Sequence, residues 1–159
     1  MLKNILLLAS LVGQAFSAKT DFPEFDIFHA NCAMEVTYPS QTCQQAFTAV
    51  EKTIREFNPE PDANGIYALK ESADTDYIWT TRTTPVKKYI DDIIFEFKQQ
   101  GANCIVSSKS RSQTFSIYDY ETNYCNIYNV HRYIGGFTNL KTSQCRYEPS
   151  DPVERCKIY

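Results

Sequence analysis

The sequence predicts an α+β fold: an antiparallel sheet of about four or five strands with one amphipathic helix packed across it. A short C-terminal helix and a disulfide-stapled tail complete the prediction. Three observations support this class. One helical stripe of apolar residues comes early in the chain, several segments of strand-forming residues follow it, and 6 cysteines are spread along the 159 residues. Such a length fits one domain.

The first 17 residues are interpreted as a secretory signal peptide. Lys3 gives the segment a positive start, residues 5–12 are apolar, and Ala15 and Ser17 supply the small side chains before a cleavage site. The alternative, an uncleaved anchor, is less favoured because the apolar stretch is too short to span a bilayer. We expect residues 18–159 to form one domain that is secreted or lies in the secretory-pathway lumen, with no transmembrane segment.

The cysteines agree with export, because an even number in a secreted chain indicates disulfide bonds. All six lie beyond the predicted signal peptide: Cys32, Cys43, Cys104, Cys125, Cys145 and Cys156. Many pairings are possible, and the sequence favours only slightly the pairing of sequence neighbours, the first with the second and so on. No CxxC spacing occurs and the two histidines are far apart in the sequence, so no metal site is expected. The phosphate-loop and dinucleotide-binding patterns are also missing, and no cofactor is expected.

The main helix is predicted over residues 43–57. Thr42 and Gln45 have the spacing of a capping box, and Pro59 stops the helix. One helical stripe is apolar: Phe47, Val50, Ile54 and Phe57. Before this helix, residues 21–38 fit either a short helix or an apolar arm laid on the body of the protein.

Segments rich in β-branched and aromatic residues predict the strands. These segments are residues 66–69, 77–84, 93–98, 104–108 and 114–118. Residues 72–76, Pro85 and Gly101 indicate turns between them. Residues 122–134 fit a helix or a strand, and the helix is favoured because Gly135 suits its C-terminal end.

Composition excludes some functions and leaves others open. The net charge is -3, so the basic surface of a nucleic-acid binder is missing. The 11 tyrosines and 10 phenylalanines suit a binding face that encloses a small apolar ligand. A core of this size needs such residues in any case, so packing is their simpler interpretation.

No motif predicts catalytic residues. Asp91 and Asp92 are paired carboxylates, but neighbours in a strand point to opposite faces, so a structural role with one ion pair is favoured. His29 and His131 are expected at the surface or half-buried.

The polar run of residues 107–113 contains hydroxyls and two cations, which suits anion binding. The simpler expectation is that Arg111 pairs with Asp119 and braces a hairpin, because a guanidinium matches a carboxylate.

The order of these motifs resembles the uncharacterised family called domain of unknown function 1499. The resemblance rests on Tyr-Ile-Asp-Asp-Ile-Ile-Phe at residues 89–95, Ser-Lys-Ser-Arg at 108–111, and the later Asp119 and Asn123. It covers about residues 31–133 and implies a single α+β domain with no assigned activity. By motif position it singles out Asp91, Asp92, Ser108, Ser110, Arg111, Asp119 and Asn123. Tyr124 stands where the family usually has arginine, and most of these cysteines are additional to the family pattern.

Three functions are compatible with the sequence. The first is a non-catalytic binding or surface-interaction module for a small amphiphile or a protein partner. Its candidate binding residues are Asp92, Ser108, Ser110, Arg111, Asp119 and Asn123. The second is a small hydrolase or anion-handling enzyme that uses Arg111, Asp119 and Asn123. The third is a structural component of an extracellular coat.

Overall fold

The structure, a computed structural model, describes residues 18–158. The predicted signal peptide lies outside this described part. The strands are β1 (Asn31–Tyr38), β2 (Ile66–Ala73), β3 (Tyr77–Thr83), β4 (Ile90–Gln100), β5 (Asn103–Ser112) and β6 (Thr138–Ser143). The helices are α1 (Cys43–Glu56), α2 (Thr122–Ile134) and α3 (Pro152–Arg155), after a 3-10 turn at Ala18–Asp21.

The α+β class is confirmed, with six strands where about four or five were expected. They form one sheet in the order β2-β3-β4-β5-β1-β6, and every neighbouring pair is antiparallel. From one edge of the sheet to its centre, the strands β2, β3, β4 and β5 lie side by side in the same order as in the sequence. β1 pairs with the far side of β5, and β6 closes the opposite edge.

Three assignments change. Residues 138–143, expected in an irregular disulfide-stapled tail, form β6. Residues 31–38 form β1 rather than the expected short helix or apolar arm, because Met34, Val36 and Tyr38 alternate with less buried residues at the period of a strand. Residues 114–118 were predicted as a strand, which is wrong. They form a loop with a single bridge between Ser116 and His29, because β5 already continues to Ser112 and ends there.

α1 begins and ends close to the prediction. The capping box is present: the Gln45 amide donates to Thr42 Oγ1 over 3.2 Å, and the Thr42 amide donates to Gln45 Oε1 over 2.8 Å. The predicted apolar stripe is buried, and the ring of Phe47 packs edge-on against Phe97 of β4, with 5.3 Å between centroids. α1 therefore covers one face of the sheet.

α2 confirms the predicted helix and packs on the same face as α1, against β5, β1 and β4. It ends at Gly135, whose φ of 73° is a left-handed conformation that favours glycine. On the opposite face, Phe22 of the N-terminal segment packs against Trp79, with 5.6 Å between ring centroids. Both faces of the sheet are thus covered.

All three predicted disulfide pairings are wrong. The bonds are Cys32–Cys145, Cys43–Cys104 and Cys125–Cys156. Strand order decides them: β6 lies beside β1, the start of α1 lies over the start of β5, and α3 packs on α2. Within residues 18–158, no helix has the length and apolar character needed to cross a membrane.

Candidate functional site

A row of polar side chains lies buried between α2 and the sheet. Along β5, the buried positions change from cysteine and valine to serine: Cys104, Val106, Ser108, Ser110 and Ser112. α2 carries buried asparagines at three-residue spacing: Asn123, Asn126 and Asn129. Residues three apart share a helix face, and buried polar groups are stable only when they are hydrogen-bonded. The first two asparagines meet the serines in a connected network.

Asn126 connects three strands within this network. Its Nδ2 donates to Asp91 Oδ2 of β4 over 2.8 Å and to Ser110 Oγ of β5 over 3.0 Å. Its Oδ1 accepts from Arg82 Nη1 of β3 over 3.1 Å. Arg82 also forms an ion pair with Glu60, in which Nε donates to Oε1 over 2.8 Å, and both side chains are fully buried. One amide therefore fixes a buried guanidinium and a buried carboxyl relative to each other.

Asn123 extends the network toward the surface. Its Oδ1 accepts from Ser110 Oγ over 2.8 Å, and its Nδ2 donates to Asp119 Oδ2 over 2.7 Å and to Ser112 Oγ over 3.2 Å. Asp119 Oδ2 also accepts the Asn123 backbone amide over 3.0 Å. The side chain of Glu121, the N-cap residue of α2, makes no capping hydrogen bond. Asp119 instead accepts the hydrogen bond of a free backbone amide in the first turn of this helix.

A cleft of about 400 Å³ opens beside the network. Its buried or half-buried polar residues include the carboxyls Asp91 and Asp119, and the hydroxyls of Thr84, Ser112, Ser116 and Thr122. Large exposed apolar side chains line the rest: Val86, Tyr89, Phe115, Tyr118, Tyr120 and Ile158. Each of these six is at least 52% exposed, which is unusual for so many apolar groups around one concavity.

Asp91 has the most perturbed electrostatic environment in the cleft. Only 2% of the residue is exposed, and this burial raises the pKa of its carboxyl. Hydrogen bonds from Asn126 and Ser112 and the charge of Arg82 lower that pKa, while the charge of Asp119 raises it, and the net shift is upward. Carboxyls of this kind are concentrated at functional sites.

The structure divides the sequence-predicted residues between the two faces of the sheet. Ser110 and Asn123 belong to the network under α2, and Asp119 lies at its outer end. Ser108 lies on the same buried face but contacts His131 instead. Asp92 faces away from α2, as expected for the strand neighbour of Asp91. It accepts from Trp79 Nε1 over 2.8 Å and from Gln113 Nε2 over 2.9 Å, and lies 3.6 Å from Lys70 Nζ.

Arg111 also lies on the face away from α2. The predicted pair with Asp119 is wrong, because Arg111 Nη2 donates to Asp26 Oδ2 over 2.6 Å and lies 2.9 Å from His29 Nδ1. Alternation along β5 causes this: Ser110 and Ser112 occupy the buried face, so the residue between them faces the N-terminal segment.

His131 is fully buried, which corrects the expected surface or half-buried position; His29 is half-buried as expected. The hydroxyl of Tyr38 lies 2.9 Å from His131 Nδ1, and Ser108 Oγ lies 3.3 Å from Nε2. Burial lowers the pKa of His131 to about 3. The arrangement resembles a nucleophile beside a base, but all three side chains are sealed in the core and form a structural hydrogen-bonded group.

Sequence reasoning missed Asn126, Arg82 and the apolar lining of the cleft. The signal for Asn126 is its spacing from Asn123 on a helix that was correctly predicted. The apolar lining could not be recognised from the sequence, because Phe115 and Tyr118 were interpreted as strand residues. Aromatic residues are common in strands, so they gave no indication of a cleft. Among residues 18–158, no group of three or more His, Cys, Asp or Glu side chains is arranged to hold a metal ion.

Comparison with known proteins identifies a family. No curated protein and no solved structure gives a significant match to the chain. A family model described as "Protein of unknown function (DUF1499)" matches residues 16–131. The match includes Arg82, Asp91 and Asn126, and it ends at His131. Since it covers well over half of the sequence, the chain belongs to the DUF1499 family of proteins of unknown function.

Proposed function

We propose that the protein is a secreted, non-catalytic binding protein that holds a small amphiphile in the cleft. The observation that carries the proposal is the gathering of six strongly exposed apolar side chains around one concavity with buried polar groups. An amphiphile matches this arrangement, because its apolar part contacts the aromatic lining and its polar end reaches the carboxyls. Three disulfides and the predicted signal peptide support export.

The cleft has a suitable size and suitable side chains for this role. Its volume of about 400 Å³ lies within the usual range of small-molecule sites. Tyrosine and phenylalanine offer large rigid contact surfaces at low entropic cost. An apolar ligand would remove part of this exposed surface from water, which contributes about 25 cal/mol per Å².

The enzyme alternative has less support. Arg111 faces the N-terminal segment, away from Asn123 and Asp119, so the three residues proposed for that activity do not face a common space. Asn123 and Ser110 form hydrogen bonds with each other and with neighbouring side chains. Neither Asn123 nor Ser110 lines the cleft, so both are poorly placed to bind a reacting molecule.

The test measures uptake of the uncharged fluorophore N-phenyl-1-naphthylamine by residues 18–159 with the disulfides formed. We expect the fluorescence to rise on binding. Phe115→Ser and Val86→Ser should each weaken binding at least fivefold. Val86→Ser should leave the melting temperature unchanged because Val86 is 82% exposed, whereas Phe115 also stacks on Phe28, so the melting temperature of its variant is measured alongside.

Val153→Ser is the matched control. Val153 is 46% exposed and does not line the cleft, so its loss should leave fluorophore binding unchanged. No fluorescence rise in the unsubstituted protein, or equal weakening by the control, would overturn the proposal.

A further inference from the structure

We infer that the amphiphile of this cleft carries a protonated amine, and that Asp91, with Asp119 beside it, binds the ammonium group. This inference rests on the proposed function and adds to it the chemical class of the ligand.

The first argument is the charge of the groups around the cleft. Two carboxyls, Asp91 and Asp119, line it together with one lysine, Lys87, which is exposed on the turn between β3 and β4. Arg82 is the nearest buried cation to Asp91, but its guanidinium is already engaged by Glu60 and by Asn126 Oδ1. The polar end of the cleft is therefore negative, which complements a cation and repels a carboxylate, sulfate or phosphate.

The second argument is the desolvation of Asp91. A buried carboxylate is costly unless an opposite charge and hydrogen-bond donors accompany it. Hydrogen bonds from Asn126 and Ser112 and the charge of Arg82 favour the ionised carboxyl, but burial outweighs them and the charge of Asp119 opposes ionisation. An ammonium group between the two carboxyls would compensate both charges at once. A hydroxyl head group would supply a donor but would leave the repulsion between the carboxyls in place.

The third argument is hydrogen-bonding capacity. Carboxylate oxygens accept hydrogen bonds and cannot donate them, so they match a head group that carries N–H donors. The aromatic lining favours a cationic head group of either kind, because ring faces attract cations. A primary amine satisfies both requirements, whereas a quaternary ammonium satisfies only the charge.

The experiment compares four decyl compounds below their critical micelle concentrations as competitors of N-phenyl-1-naphthylamine at pH 7. They are decylamine, decyltrimethylammonium, decanol and decanoate. We expect decylamine to displace the fluorophore at concentrations at least tenfold lower than any of the other three. Asp91→Asn should weaken decylamine binding at least tenfold and change decanol binding less than threefold.

Asp92→Asn is the matched control, because Asp92 is a buried carboxyl on the same strand that faces away from the cleft. It should leave the preference for decylamine intact. Should Asp91→Asn fail to fold, Lys87→Glu serves as the second variant, since this exposed residue tolerates substitution. Its added negative charge should strengthen decylamine binding about threefold and weaken decanoate binding.

The outcomes separate the two proposals. A protein that never takes up the fluorophore contradicts the binding function itself. Uptake of the fluorophore with equal or better competition by decanol or decanoate overturns the amine inference and leaves the binding function standing. Equal competition by decyltrimethylammonium overturns the requirement for N–H donors, and with it the primary amine.

Discussion

His131 illustrates how one buried titratable side chain couples this fold to pH. The ring lies between Tyr38 and Ser108 in the core, and burial lowers its pKa from 6.5 to about 3. The folded protein therefore holds the neutral ring at pH values where the unfolded chain binds a proton. Stability from this residue is complete above about pH 6.5 and declines as the pH falls toward 3.

We expect the free energy of unfolding to lose about 2–3 kcal/mol from His131 alone between pH 7 and pH 4.5, at 1.36 kcal/mol for each pKa unit. Asp91 and Glu60 act in the opposite direction, because burial raises their pKa values and favours the folded state at low pH. The readout is therefore a difference: urea unfolding of the protein and of His131→Gln at both pH values.

The stability advantage of the unsubstituted protein over His131→Gln should shrink by that amount at the lower pH. The acidic residues are present in both proteins, so their contributions cancel. A difference that is the same at pH 7 and pH 4.5 would contradict the assignment of a neutral buried imidazole.

The two helices begin in different ways, although they pack side by side. α1 uses the side chain of its own N-cap residue, Thr42, together with Gln45. α2 has Glu121 at its N-cap in a left-handed conformation and depends on Asp119, which precedes the helix and also lines the cleft. The start of α1 is thus set by local sequence, whereas the start of α2 is tied to the polar residues of the candidate site.

Thr42→Ala should lower the free energy of unfolding by about 1 kcal/mol, because the Gln45 amide loses its acceptor. Thr48→Ala in the middle of the same helix is the control. Thr48 is exposed and bonds only to the preceding turn, and alanine is a better helix former, so its cost should lie below about 0.5 kcal/mol. Urea unfolding distinguishes the two, and a larger loss in the Thr48 variant would refute the capping assignment.

The three disulfides connect layers and edges that lie far apart in sequence. Cys32–Cys145 joins β1 to the segment after β6 across 113 residues, Cys43–Cys104 joins α1 to β5 across 61, and Cys125–Cys156 joins α2 to the end of α3 across 31. A long loop loses more conformational freedom when it is closed, so the first bond restricts the unfolded chain most.

Removing Cys32 and Cys145 together, by alanine substitution, should destabilise the protein by about 4–5 kcal/mol on the chain-entropy estimate. Removing Cys125 and Cys156 together should cost about 3–4 kcal/mol on the same basis. Peptide mapping without reduction checks the pairing, and urea unfolding of the two double variants checks the order. Recovery of a Cys145–Cys156 peptide would show that the tail is stapled locally instead.

Much of the local structure could be predicted from the sequence. The capping box, the buried stripe of α1, the extent of α2 and the positions of β2 to β5 all depend on periodicity and turn chemistry within a few residues. The separation of Asp91 from Asp92 was predictable for the same reason, since strand neighbours point to opposite faces. The order of motifs also indicated the family.

Tertiary structure decided the rest. Cys32 has Cys145 as its partner because β6 lies beside β1, and Arg111 faces Asp26 because the N-terminal segment crosses the outer face of the sheet. The cleft exists because the loop after β5 remains outside the sheet and meets the turn between β3 and β4. Sequence by itself determined α1, α2 and the strands β2 to β5, because the forces that form them act between near neighbours in the chain. Disulfide pairing, the buried asparagine–arginine network and the cleft depend on contacts between residues far apart in sequence, which exist only once the strands are arranged.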